Sequence, residues 1–204
     1  MGASERIRAG YNRIAQDYAR HRDQTTSLPF LERLAERLPA RSRVLDLGCG
    51  AGCPVDAFLV ERGHRVIGID ISEAMIALAR RNVPQAGFHR RDMAGLQPGD
   101  YQVDAVVSFY ALIHVERRLH RRILTTARSF LPPDGLILIT MGRSDWEGVE
   151  DFLGVDMSFS HFDAAANRAL IEDCGFSLLF EDRHPDNLPG ATGSHPVFLA
   201  RKAA

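Results

Sequence analysis

Apolar residues along this chain fall into two kinds of spacing. Ile7, Tyr11, Ile14 and Tyr18 recur at the period of one helical face and predict an amphipathic helix over residues 4–20. Leu31, Leu34, Ala35 and Leu38 predict a second helix, stopped by Pro39. From residue 43 onward, short apolar runs alternate with helical patterns. Strands are predicted at 43–47, 65–69, 87–91, 104–109 and 136–141, the last entered through the Pro-Pro-Asp-Gly turn at 132–135. Between them, Val55, Phe58 and Leu59 share a helical face after Pro54, which can open the helix. Ser72 is the expected N-cap of a helix carrying Met75, Leu78 and Ala79. Leu119, Ile123, Ala127 and Phe130 set out a helix across 116–131, and Asp163 caps another that Gly175 closes.

Alternating strand and helix implies an α/β fold, with a mostly parallel sheet covered on both faces. The final strands, near 176–181 and 196–200, have no helix between them. A Pro/Gly-rich segment, RHPDNLPGATGSH, joins them and implies antiparallel pairing. No repeat or second domain is visible, so residues 1–204 read as one domain. Residues 1–40 are a helical N-terminal part, 41–141 the core, and 142–204 a substrate-side loop followed by a helix and two strands. Residues 142–162 read as a long connection of mixed character, and loops of that length are often functional.

Composition narrows the class. The 204 residues are 45% hydrophobic and 25% charged, ordinary for a soluble globular domain. No apolar run approaches the ~20 residues of a membrane span, and the N-terminus lacks the apolar core of a signal peptide, so a cytoplasmic location is expected. Gly2 is followed by Arg6 where a myristoylation signal carries Ser or Thr. Cys49, Cys53 and Cys174 are too few and wrongly spaced for a common zinc or redox site, so no metal is expected. The net charge of −1 gives no general attraction to nucleic acid. Arginine pairs recur along the chain, but the acidic residues balance them, and they read as solvated positions.

The chemistry starts at Arg43 to Val55, RVLDLGCGAGCPV. A strand runs into Gly48, Gly50 and Gly52, but the sixth position of a G-x-G-x-x-G dinucleotide fingerprint is Cys53. Asp70 ends the next strand, where a carboxylate can accept both ribose hydroxyls. That pair fits a dinucleotide enzyme and a methyltransferase equally. Asp46 separates them. Beside a pyrophosphate it would repel; beside the ammonium of S-adenosylmethionine it can help hold the charge, directly or through water. Asp92, in RRDM, can accept an adenine amino group, with Met93 lining the ring.

Taken together, LDLGCGAG, GIDIS, RRDM, DAVVSFYALIHV and LPPDGLILIT resemble the class I S-adenosylmethionine-dependent methyltransferases, best over residues 40–141. The resemblance implies a Rossmann-like, doubly wound seven-stranded sheet, mostly parallel, with the last strand inserted antiparallel. It implies cofactor contacts at Asp46, Gly48, Cys49, Gly50, Asp70, Ile71, Asp92, Met93 and Phe109. Tyr11 and Tyr18 are similar to the tyrosines of the N-terminal lid helix in small-molecule members, which close over the methionine end.

Methyl transfer needs in-line alignment, aromatic faces near a sulfonium and, for a hydroxyl acceptor, a base. His114, just past the fourth strand, and His161, in SFSHFD, are the candidate bases. Tyr110, Trp146 and Phe159 are candidate acceptor contacts, with Phe152, Met157 and Phe162 available to wall an apolar pocket. Residues 109–115 lack the carboxylates of a metal-dependent catechol site and the Asn/Asp-Pro-Pro-Tyr pattern of amide or base methylation. The expected activity is O-methylation of a small molecule in secondary or cofactor metabolism, with no nucleic-acid or membrane partner. A nicotinamide oxidoreductase and a non-catalytic S-adenosylmethionine-binding regulator are the alternatives.

Overall fold

Every strand of the central sheet places successive side chains on opposite faces, and here both faces are apolar. Val44, Val66, Ala105, Val107, Leu136 and Leu138 point to one side. Leu45, Leu47, Ile69, Val106, Ile137 and Ile139 point to the other. Strands buried on both faces need a helical layer on each. In the computed structural model, which describes residues 2–188 and 192–203, that is the arrangement.

Five strands, β1 (Arg43–Leu47), β2 (Arg65–Asp70), β3 (Gly87–Arg90), β4 (Ala105–Ser108) and β5 (Leu136–Thr140), pair in parallel. A hairpin of β6 (Trp146–Phe152) and β7 (Val155–His161) forms a separate two-stranded sheet. The chain returns to the main sheet with β8 (Phe176–Pro185) and β9 (Ser194–Lys202). The sheet order is β3-β2-β1-β4-β5-β9-β8, with β9 antiparallel to both neighbours. The strand order reverses at β1/β4, the position where open α/β sheets bind ligands. The segment joining β8 to β9 includes residues 189–191, which lie outside the described residues.

Helices α2 (Leu28–Ala35) and α3 (Val55–Glu61) cover one face through Phe30, Leu31, Leu34, Phe58 and Leu59. The other face is covered by α5 (His120–Phe130) and α6 (Ala164–Asp173). The helix α4 (Glu73–Asn82) begins as the sequence implies, with Ser72 Oγ accepting from the Met75 N–H at 3.1 Å. Asp163 caps α6 in the same way, through the Ala166 N–H at 2.8 Å.

The first helix, α1 (Ala3–His21), leaves the layers and crosses the carboxyl end of the sheet. Its stripe of Ile7, Ile14, Ala15 and Tyr18 packs on Met75 of α4 and on Val155 and Met157 of β7. Asn12 fixes the docking. Its side-chain oxygen accepts from Ser72 Oγ (2.7 Å) and the Ala74 N–H (3.1 Å), and its amide donates to Glu73 (2.7 Å).

The structure departs from the sequence reading at 142–162. This segment is not an irregular connection but the β6–β7 hairpin. Val155, Met157 and Phe159 alternate with Asp156, Ser158 and Ser160 in the sequence of β7, with Ser158 and Ser160 buried too, and the turn carries positive φ at Leu153 (55°) and Gly154 (79°). The hairpin lies beside α1 and completes a roof over the switch point. No helix among the described residues is long and apolar enough to cross a membrane.

Candidate active site

The loop after β1 turns sharply, with φ of 83°, 54° and 81° at Gly48, Gly50 and Gly52. Gly48 has the most severe need of glycine for space as well as for φ. A Cβ there would lie 2.2 Å from the Cβ of Ala111, whereas one on Gly50 would meet nothing within 4 Å. Gly48→Ala is therefore expected to destabilise the chain by roughly 2–4 kcal/mol, from backbone strain plus a forced shift of the 109–115 segment. Gly50→Ala should cost about 1–2 kcal/mol. Urea unfolding of the two variants checks the difference.

The loop's N–H groups turn inward. Those of Gly48 and Cys49 both donate to Ile69 O (2.8 and 2.9 Å), and that of Gly50 donates to Asp70 Oδ2 (3.0 Å). The Gly52 N–H donates to Cys49 O at 3.0 Å. A pyrophosphate-binding loop keeps such donors free for the ligand. Here they hold the loop to β2 and to Asp70, whose other oxygen accepts from the Ser72 N–H at 2.8 Å.

Above the loop lies a cleft enclosing about 690 Å³ of space, its open mouth included. Tyr11, Tyr18, Gly48, Gly50, Asp70, Ile71, Asp92, Met93 and Phe109, all singled out in the sequence, line it together. Asp92 caps the short 3-10 turn at Met93–Gly95, its Oδ1 accepting from the Ala94 N–H at 2.8 Å. Two expected contacts do not line the cleft. Cys49 is buried against Gly68, where a Cβ would come within 2.8 Å of the Cys49 Cβ, and its N–H is already committed. It packs the loop onto β2. Asp46 lies beneath the cleft floor, 2% exposed.

Arg22 lines the cleft and was passed over in the sequence. It follows the last turn of α1 and is 7% exposed, yet its Nε and Nη2 have no hydrogen-bond partner. Its neighbours in charge are Asp46 and Asp56. Asp56, on α3, is fully buried, and both of its oxygens and one of Asp46 have no hydrogen-bond partner. Burial raises the pKa of Asp46 to about 7 and that of Asp70 to about 6, and pushes Asp56 up as well. An unsatisfied guanidinium set against unsatisfied carboxyls matches a zwitterionic α-amino acid, with its carboxylate toward Arg22 and its ammonium toward the acids.

A second cavity adjoins the first, larger at about 1320 Å³ with its mouth included. Tyr11, Tyr18, Tyr110 and His114 line both. His161, Trp146 and Phe159 line the second only. Tyr110 sits at the end of β4 with φ 58° and is held firmly. Its N–H donates to Thr140 Oγ1 (2.6 Å) and its hydroxyl to Pro185 O (2.5 Å), beside His184 Nδ1. His184 in turn reaches Ser27 Oγ through Nε2 at 2.9 Å.

The two candidate histidines differ. In His114, Nδ1–H donates to Ser158 O (2.9 Å), which leaves Nε2 to accept from the Tyr11 hydroxyl (2.9 Å). Burial lowers its pKa to about 4, so the ring is neutral. In His161, Nδ1–H donates to Ser144 O (2.6 Å), leaving Nε2 as an acceptor on the second cavity. Gly142 makes room for that ring, since a Cβ there would lie 2.3 Å from the His161 Cβ.

A family model described as a methyltransferase domain matches residues 44–135, from β1 to the turn before β5. That match, with the relatives and solved structures below, supports a class I S-adenosylmethionine-dependent methyltransferase. The methyltransferase domain carries the whole glycine loop and its three acids, while Arg22 and the hairpin lie outside the matched stretch. The chain is similar to a trans-aconitate 2-methyltransferase of Variovorax paradoxus, 38% identical over 127 residues, which cover 61% of this chain and 48% of the relative. It thus spans about half the length of that relative. Two solved structures share the fold. One is a 1,6-didemethyltoxoflavin N1-methyltransferase of Burkholderia thailandensis (TM-score 0.75, 23% identity, 96% of this chain and 85% of that one). The other is a magnesium protoporphyrin IX methyltransferase of Synechocystis (TM-score 0.74, 18% identity, 100% and 98%).

Proposed function

We propose that this chain transfers a methyl group from S-adenosylmethionine to the oxygen of a small molecule. The observation that carries the reading is the buried, unpartnered guanidinium of Arg22 on the wall of a cleft that adjoins a second cavity, with the unpartnered carboxyl groups of Asp46 and Asp56 buried outside its lining. Asp70 is placed to accept ribose hydroxyls, and Asp92, with one oxygen spent on capping, to accept an adenine amino group. The inward-turned N–H groups of the glycine loop weigh against a dinucleotide pyrophosphate. A separate acceptor-sized cavity weighs against a purely regulatory binder. The small acceptors named for the trans-aconitate and toxoflavin-precursor enzymes support a small-molecule substrate here.

When bound, S-adenosylmethionine supplies a methyl group already activated on a sulfonium. The protein's part is to align the acceptor and to take its proton. Tyr11, Tyr18, Tyr110 and His114 stand where the two cavities meet, so the acceptor oxygen is placed among them. Burial keeps the Tyr11 phenol protonated. As the new O–C bond forms, the acceptor's proton passes to the Tyr11 oxygen while Tyr11's own proton passes to His114 Nε2. Ser158 O, bonded to Nδ1–H, steadies the imidazolium.

His114→Ala and Tyr11→Phe are each expected to lower kcat by about 10²–10⁴-fold. His161→Ala should act mainly on KM for the acceptor. Because His114 works only when neutral and its pKa is about 4, wild-type kcat should stay level with falling pH until the pH nears that value. Near-normal kcat in both His114→Ala and Tyr11→Phe would sink the relay.

A further inference from the structure

We propose that the second cavity selects an uncharged, planar aromatic acceptor bearing a hydroxyl group, and that it excludes polycarboxylates. This rests on the reading of that cavity as the acceptor site.

The inner wall is built of rings. Tyr11, Tyr18, Phe152, Phe159 and His114 form a connected set. Centroid separations are 5.5 Å for Tyr11–Tyr18, 6.2 Å for Tyr11–Phe152, 6.1 Å for Phe152–Phe159 and 4.6 Å for His114–Phe159. Most of these meet edge to face, which leaves ring faces and edges for a flat guest.

The charges forbid a different class. Arg143 is the arginine on this cavity's wall, and it is bound to Asp186 at 3.0 Å. Asp186 also faces His195 Nε2 at 3.3 Å. Asp145 is bound by Arg117, and Glu150 has no ion pair among the described residues. An anionic guest entering this space would lose water and meet one arginine, already paired with Asp186, together with the unpaired carboxylate of Glu150. The relative named for trans-aconitate acts on a tricarboxylate, so this wall argues for a different acceptor despite the 38% identity.

The polar points that remain suit a neutral guest. Asn187 is 6% exposed, and its Nδ2 has no partner. It offers one donor. His161 Nε2 offers one acceptor. A phenolic or enolic hydroxyl and a ring carbonyl or ring nitrogen fill both roles without a formal charge.

Trp146, the chain's only tryptophan, lines the cavity and is 44% exposed, so its emission reports directly on occupancy. The test uses the full chain saturated with S-adenosylhomocysteine, with that binding measured separately by calorimetry. Titration with 2-naphthol is expected to change Trp146 emission saturably, and Phe159→Ala should weaken this binding by about tenfold. Titration with trans-aconitate should give no saturable change. Saturable binding of trans-aconitate, or no response to 2-naphthol while S-adenosylhomocysteine still binds, overturns the acceptor class. Failure of S-adenosylhomocysteine itself to bind removes the underlying reading and this proposal with it.

Discussion

Arg22→Ala should weaken S-adenosylhomocysteine binding by about 100-fold or more. Arg22 is the cleft's buried guanidinium with free donors, 7% exposed, with Nε and Nη2 both unpartnered. Truncating one side of a buried, hydrogen-bonded charge pair typically costs 2–5 kcal/mol, roughly 30- to 4000-fold. Arg91 also lines the cleft but is exposed and already held by Asp100 at 2.9 Å. Arg91→Ala should therefore change affinity by about threefold or less. Calorimetry on both variants, with thermal melts to verify folding, separates a carboxylate clamp from a general loss of positive charge. Equal effects at the two positions would mean that the amino-acid end of the ligand lies elsewhere.

The second large effect concerns stability and pH. Asp46 and Asp70 have folded-state pKa values raised by burial, to about 7 and about 6, against an unfolded value near 3.8. A carboxyl raised in this way favours the folded state while protonated. Its contribution is full below the unfolded value and is lost as pH rises through the folded value. Stability of the unliganded chain should therefore fall between about pH 4 and pH 8, opposite to ordinary acid denaturation. The Asp46–Asp56 pair titrates as a unit, so the slope belongs to both. Asp46→Asn should raise stability at pH 8 by roughly 2–4 kcal/mol, since a shift of one pKa unit is worth about 1.4 kcal/mol. The same change should weaken S-adenosylhomocysteine binding, a trade between stability and function found at many sites. Urea unfolding at pH 5 and pH 8 checks it. Parallel pH dependence in wild type and Asp46→Asn would contradict it.

Much of this was legible in the chain. The inner strands β1, β4 and β5 announced themselves because both faces are buried and each run is nearly all apolar, whereas edge strands β3 and β8 are more polar. Asp70, Asp92 and the glycines stood out because their spacing follows the strand ends. Three things were harder to read. The β6 strand, WEGVEDF, is exposed and acidic and has almost no hydrophobic alternation, so the hairpin hid inside a supposed loop. Arg22 was lost among many arginines, because nothing in sequence distinguishes a buried guanidinium from a solvated one. Its position one turn beyond Tyr18 was the available clue. Asp56 sat on a helix with Val55, Phe58 and Leu59, where an acid ordinarily faces water; its burial follows from the packing of α3 behind β1. The two histidines looked equivalent in sequence, and hydrogen bonding distinguishes them. His114 is tied at both nitrogens at the cavity junction, whereas His161 keeps one nitrogen free toward the acceptor space.

The central claim is that the cleft over Gly48–Gly52 holds an amino-acid-bearing nucleoside and not a dinucleotide. Calorimetric titration of the purified chain with S-adenosylhomocysteine, and separately with NADH, addresses it most directly. Saturable binding of one S-adenosylhomocysteine per chain, with no heat from NADH, is the predicted result. Saturable NADH binding with none for S-adenosylhomocysteine would contradict it.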